Sequence, residues 1–130
     1  MSANRQVTFQ TDFFKRVHGE EEETNPGRYG KALAQWLAEN LRERDVAVED
    51  VLHEDFGWVV MVSRKPYVLW LGCGNTDGST TEWNVFPVVE FSIMQRLFKN
   101  KNPTQEIEKL VAHLTELVPS IPNVTNIVWE

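Results

Sequence analysis

Residues 54–75, EDFGWVVMVSRKPYVLWLGCGN, decide the fold: two strongly apolar runs joined by the polar turn Arg64-Lys65-Pro66. Val59, Val60, Val62, Val68, Leu69 and Leu71 favour extended backbone, so the stretch predicts a central β-hairpin. Trp58, Val60 and Val62 fall on one face of the first strand and Val59, Met61 and Ser63 on the other. In the return strand Tyr67, Leu69, Leu71 and Cys73 share a side, opposite Val68 and Trp70. Both faces are therefore apolar, and the pattern requires a cover for each. Full burial of a Val or Leu side chain contributes roughly 1.5–3 kcal/mol, which makes this hairpin the centre of the core.

Working outward, Val7, Phe9, Thr11 and Phe13 alternate with Thr8, Gln10 and Asp12, the period of a first strand ending near Lys15 or Arg16. The run Glu20, Glu21, Glu22, Glu23 carries four like charges with no evident reason to pack and reads as a mobile acidic loop over residues 18–25. Asn25-Pro26 has the chemistry of a helix start, and Tyr29, Leu33, Trp36, Leu37 and Leu41 recur at helical spacing, predicting a helix over residues 26–44. Val46 and Val48 suggest a short extended segment before the hairpin. Residues 83–91 read as a strand, and Pro87 within it predicts an edge or a bulge because proline cannot donate to a ladder. Ile93, Met94, Leu97 and Phe98 suggest a short helix. Pro103-Thr104 opens a second clear helix with Ile107, Leu110, Val111, Leu114 and Val118 on one stripe, and Val124, Ile127, Val128 and Trp129 form a terminal strand.

The expected order is β-α-β-β-β-β-α-β: an α+β fold with a mainly antiparallel sheet of five to six strands and two long helices packed on it. At 130 residues, 42% hydrophobic and 25% charged, the chain reads as one globular domain spanning residues 1–130. The start lacks a signal-peptide core, and no run reaches the roughly 18 apolar residues of a membrane span, so a cytoplasmic protein with no membrane partner is expected. The single cysteine, Cys73, cannot form an internal disulfide. A net charge of −6 repels phosphate backbones and argues against nucleic acid. The local basic stretch from Arg96 through Lys99 and Lys101 to Lys109 has a single aromatic residue, Phe98, among its charges and reads as a solvated connector.

Three segments, Asn25-Pro26-Gly27-Arg28-Tyr29-Gly30, Leu33-Ala34-Gln35-Trp36-Leu37 and Glu54-Asp55-Phe56-Gly57-Trp58, together resemble a family of small bacterial cytoplasmic proteins that has no established activity. The resemblance covers most of the chain. It implies a bacterial source and a shared fold, and it carries over no functional residue.

Chemical signals are sparse. Glu54 and Asp55 at the entry to a buried strand, with Trp58 as a wall, suit a cation or a guanidinium; they equally suit a turn in which Asp55 caps, Gly57 bends and Trp58 packs. Adjacent strand residues point to opposite faces, so the pair makes a poor acid/base couple. Cys73 is a nucleophile only if His18, His53 or His113 is folded against it, and its place after an apolar strand favours a buried thiol. No P-loop continuation follows the glycines, and no HExxH or CxxC spacing exists for zinc, so neither cofactor nor metal is expected. Glu20–Glu23 and the seven acidic residues against two arginines between Glu39 and Asp55 point to a non-enzymatic interaction module, of immunity, inhibitor or regulatory type, that binds a basic partner protein. The alternative is a small-molecule binder or modest enzyme with a pocket near Trp58, Trp83, Glu54, Asp55 and Arg28. The chain is expected to be a monomer or a weak homodimer, the latter joined through the edge of the Pro87 strand.

Overall fold

The computed structural model describes residues 5–65, 67–90 and 103–130. The elements are β1 (Val7–Gln10), α1 (Glu20–Glu23), α2 (Lys31–Glu43), β2 (Asp50–Glu54), β3 (Gly57–Ser63), β4 (Val68–Asn75), β5 (Glu82–Glu90), α3 (Pro103–Leu117) and β6 (Thr125–Trp129). The six strands form one sheet in the order β2-β3-β4-β5-β1-β6, and every pairing is antiparallel. This is the α+β layout the periodicities predict, although of the three α-helices among the described residues only α3, with 15 residues, is long; α2 has 13 and α1 four. The short helix expected at Ile93–Phe98 and the basic residues Arg96, Lys99 and Lys101 lie outside the described residues.

The central hairpin pairs Trp58 with Cys73, Val60 with Leu71 and Met61 with Trp70, with an irregularity between Met61 and Ser63. Paired residues share a face, so Trp58, Val60, Leu71 and Cys73 look one way, with Val85 and Val7 continuing the row across β5 and β1. That face packs against Leu33, Leu37 and Leu41 of α2 and Ile107, Leu110 and Leu114 of α3 in a single core. Phe9 and Trp83, both fully buried, close its far end. Both helices therefore cover the same side of the sheet.

Three local departures have clear causes. Helix α2 begins at Lys31 rather than at Pro26, because Gly30 takes φ 149 and a Cβ there would sit 2.7 Å from the carbonyl oxygen of Cys73. Asn25 is consequently no N-cap; its side-chain amide donates to the Asp55 carbonyl at 3.1 Å. The strand before the hairpin is Asp50–Glu54, while Val46 and Val48 pack against the core outside any strand. The strand holding Pro87 is interior, not an edge, over its first half: β1 pairs with it as far as Val85. Beyond that point its one neighbour among the described residues is β4, where Pro87 faces Leu71, so the missing donor is tolerated.

The fourth departure concerns the acidic run. The four glutamates make one helical turn, and Glu20, read as part of a solvated loop, is only 2% exposed. Its Oε1 accepts the Gly30 and Lys31 amides at 3.1 Å each and the Trp58 indole N–H at 3.0 Å; its Oε2 accepts the Val17 amide at 2.6 Å. The N-terminus of α2 is thus capped by a carboxylate ten residues upstream, where the helix dipole favours negative charge. Glu21 accepts from the Gly27 amide, whereas Glu22 and Glu23 are exposed.

Replacing Glu20 by Ala strands four donors at once, so Glu20→Ala should cost about 3 kcal/mol and on the order of 10 °C in Tm. Glu22→Ala and Glu23→Ala should each stay within about 0.5 kcal/mol of the parent. Urea unfolding followed by tryptophan fluorescence measures both, and equal effects at the three positions would contradict the capping role.

Candidate functional site

The residues singled out in sequence differ in burial. Trp58 and Trp83, 3% and 1% exposed, lie in the core on the helix-covered side, with their indole N–H groups held by Glu20 and by the Thr11 carbonyl. Glu54 and Asp55 are exposed at the β2–β3 turn, and Arg28 is half-buried in the loop before α2. The fold does not gather the carboxylates of residues 39–55. Glu39 and Glu43 occupy the exposed side of α2, Glu49 is tied to Arg64 at 2.5 Å, and Asp50 and Glu54 turn to the opposite side of the sheet. Among the described residues no group of three or more His, Cys, Asp or Glu side chains is placed to hold a metal ion, and no helix is long and apolar enough to cross a membrane.

Cys73 is fully buried between Trp58 and Val85, and burial pushes its thiol well above the ordinary range. It is neutral and shielded, the opposite of what nucleophilic thiols require. With an aromatic disulfide reagent at pH 8, Cys73 should remain unmodified in the native protein over the time in which it reacts fully in urea. Native labelling at the rate of a free thiol would overturn this assignment.

A more organised surface lies on the face that α2 and α3 do not cover, where Val59 and Met61 are nevertheless buried, at 3% and 9% exposure. The turn Asp55-Phe56 sends Phe56 across the sheet, where its ring stacks on Trp70 (centroids 6.1 Å, planes 21° apart) and meets Phe86 at 5.6 Å. Trp70 and Phe86 complete the triangle at 6.2 Å. Gly72 makes it possible: it pairs with Phe86, and a Cβ there would lie 2.3 Å from the Phe86 ring. Leu52, Val59, Met61 and Val88 share this face by register. None of these residues belongs to the core beneath the helices. Phe56, Trp70 and Phe86 are all half-buried, with 2.6 Å separating the Trp70 indole nitrogen from its acceptor, Glu90 Oε2.

Among the described strand residues the charges on this face have one sign. Register places Asp50 beside Met61, Glu54 beside Gly57, Glu90 beside Val68 and Glu82 beside Gln10, and Glu130 pairs through its backbone with Gln6 on the same side. Among the described strand residues no Lys or Arg shares it. An apolar aromatic centre ringed by carboxylates has the anatomy of an interface for a cationic, amphipathic surface. Part of this was readable in Glu82, Asn84, Phe86, Val88 and Glu90, which share parity along one strand. The convergence of Phe56, Trp70 and Phe86 was not, because it depends on strand neighbours.

A second feature is a half-open cavity of about 780 Å³ on the helix-covered side, framed by the end of α2, the β3–β4 end of the hairpin and the first half of α3. Val62, Leu69 and Leu110 form its apolar wall, and Arg44, Lys65 and His113 are among its polar lining. Arg44 Nε donates to His113 Nδ1 at 3.0 Å, and its guanidinium pairs with Glu116. Partial burial and the adjacent guanidinium hold His113 below the ordinary histidine range, so it is a neutral imidazole whose proton is on Nε2. Sequence periodicity places His113 on α3 but does not reveal the cavity.

No protein-family model, curated protein or solved structure matches the chain.

Proposed function

We propose that the chain is a non-enzymatic interaction module, of immunity, inhibitor or regulatory type in a bacterial cytoplasm, that receives a basic amphipathic segment of a partner protein on its open sheet face. The observation behind this reading is that the aromatic triangle Phe56, Trp70 and Phe86 is surrounded by Asp50, Glu54, Glu82, Glu90 and Glu130, with no cation among the described strand residues of that face. Apolar side chains of the partner would fill the aromatic centre, and its lysines or arginines would meet the rim. Buried aromatic anchors carry most of an interface's energy, whereas rim charges set the association rate and its salt dependence. The acidic segment at Glu20–Glu23 has a smaller part in this reading, since Glu20 is spent on the fold. The pocket reading around Trp58, Trp83, Glu54, Asp55 and Arg28 gains no support from the burial of Trp58 and Trp83 in the core.

A synthetic amphipathic Lys/Leu helix is the direct probe, titrated by calorimetry at several salt concentrations. Trp70→Ala should weaken it by about 2 kcal/mol, roughly 30-fold. The double change Glu54→Lys, Glu90→Lys should weaken it and flatten its salt dependence. The control Glu39→Lys, Glu43→Lys, on the exposed side of α2, should change neither. Equal losses in the control, or none with Trp70→Ala, would sink the proposal; so would a dimer by sedimentation that Trp70→Ala converts to monomer, since a second copy would then own the face.

A further inference from the structure

We infer that the cavity between the end of α2, the tip of the β3–β4 hairpin and α3 is a binding site for a small amphipathic carboxylate, with the apolar tail lodged on Val62, Leu69 and Leu110 and the carboxylate at Lys65 and His113. The site is independent of the open face, since it lies on the opposite side of the sheet. Its volume, about 780 Å³, falls within the range typical of small-molecule sites. Two helices and a hairpin frame it, so it is largely formed before any ligand arrives.

The polar lining decides the ligand's head. Most of its charges are already engaged: Arg44 with Glu116 and His113, Glu49 with Arg64, and Lys109 with Glu106 at 3.6 Å. Asp45, which also lines the cavity, is exposed in the turn that follows α2. Beside Asp45, what remains in the lining is donor capacity. Lys65 has no ion-pair partner among the described residues, and His113, its Nδ1 occupied as an acceptor, has an Nε2–H to give. The neutral state of His113 agrees with this, because a donor is supplied without a second buried cation beside Arg44. Two donors above an apolar wall match an aliphatic or aromatic monocarboxylate better than a cation, which would meet Lys65, or a wholly apolar ligand, which would leave the donors unmatched.

Decanoate titrated into isotope-labelled protein and followed by amide NMR tests the site. Saturable shifts should be confined to Arg44–Glu49, Val62–Lys65 and Gln105–His113. The neutral analogue 1-decanol should bind at least tenfold more weakly, Lys65→Glu should cost decanoate tenfold or more, and Leu110→Trp should block the cavity. Trp70→Ala on the far face should leave decanoate affinity unchanged, which separates this site from the proposed protein interface. Cooperative thermal melting of each variant verifies folding, and Lys65→Glu, at an exposed position, carries the test if Leu110→Trp does not fold. No saturable shift up to about 5 mM, equal binding of decanol, or shifts centred on Phe56, Trp70 and Phe86 would each overturn the inference.

Discussion

A single buried carboxylate joins the parts of this fold. Glu20 takes the amides that open α2, the amide of Val17 and the indole of Trp58, so one side chain links the loop after β1, the covering helix and the central hairpin. Burying an ionised carboxylate costs several kcal/mol, and four charge-assisted hydrogen bonds at roughly 1.5–3 kcal/mol each are what offset it. Removing any one donor leaves the others in place; removing the carboxylate strands all four. Lys31, whose ammonium lies 5.0 Å from the centre of the Trp58 ring, adds a cation–π contact to the indole that Glu20 holds.

Because α2 is held there, it must lie over β3 and β4 on the face bearing Trp58, Val60, Leu71 and Cys73. Its helical partner α3 shares that core, so the two amphipathic stripes are spent on one side of the sheet. The opposite side keeps its apolar strand residues, concentrated by Gly72 into the aromatic triangle, and gathers the carboxylates of β2, β5 and the chain's last residue. Among the described residues the two sides of the sheet are thus unlike: one carries a packed core with a cavity at the hairpin end, and the other an acidic, aromatic face. A large apolar patch rimmed by polar groups is a recognised mark of an interaction site.

Where sequence reading succeeded, local chemistry was enough. The hairpin follows from two β-branched runs around Arg64-Lys65, and α3 from Ile107, Leu110, Val111 and Leu114 at helical spacing. Where it erred, a distant partner decided the outcome. Asn25-Pro26 has all the local features of a helix start, yet the cap comes from Glu20, and Gly30 pressed against the Cys73 carbonyl sets the first turn. Pro87 suggests an edge, and the strand is one only where β1 has ended. The four glutamates suggest mutual repulsion, and the first of them is the most buried acid in the chain because donors from three segments converge on it.

The sequence alone therefore determined the α+β class, the antiparallel character of the sheet, the hairpin and its register parity, and a buried Cys73, since each depends on periodicities of two or 3.6 residues and on turn residues nearby in the chain. Tertiary structure decided the strand order, which face the helices cover, the burial of Glu20, and the grouping of Phe56, Trp70 and Phe86. The physical reason is that hydrogen bonds and ring contacts between residues tens of positions apart leave no period in the sequence: they exist only once the strands have chosen their neighbours.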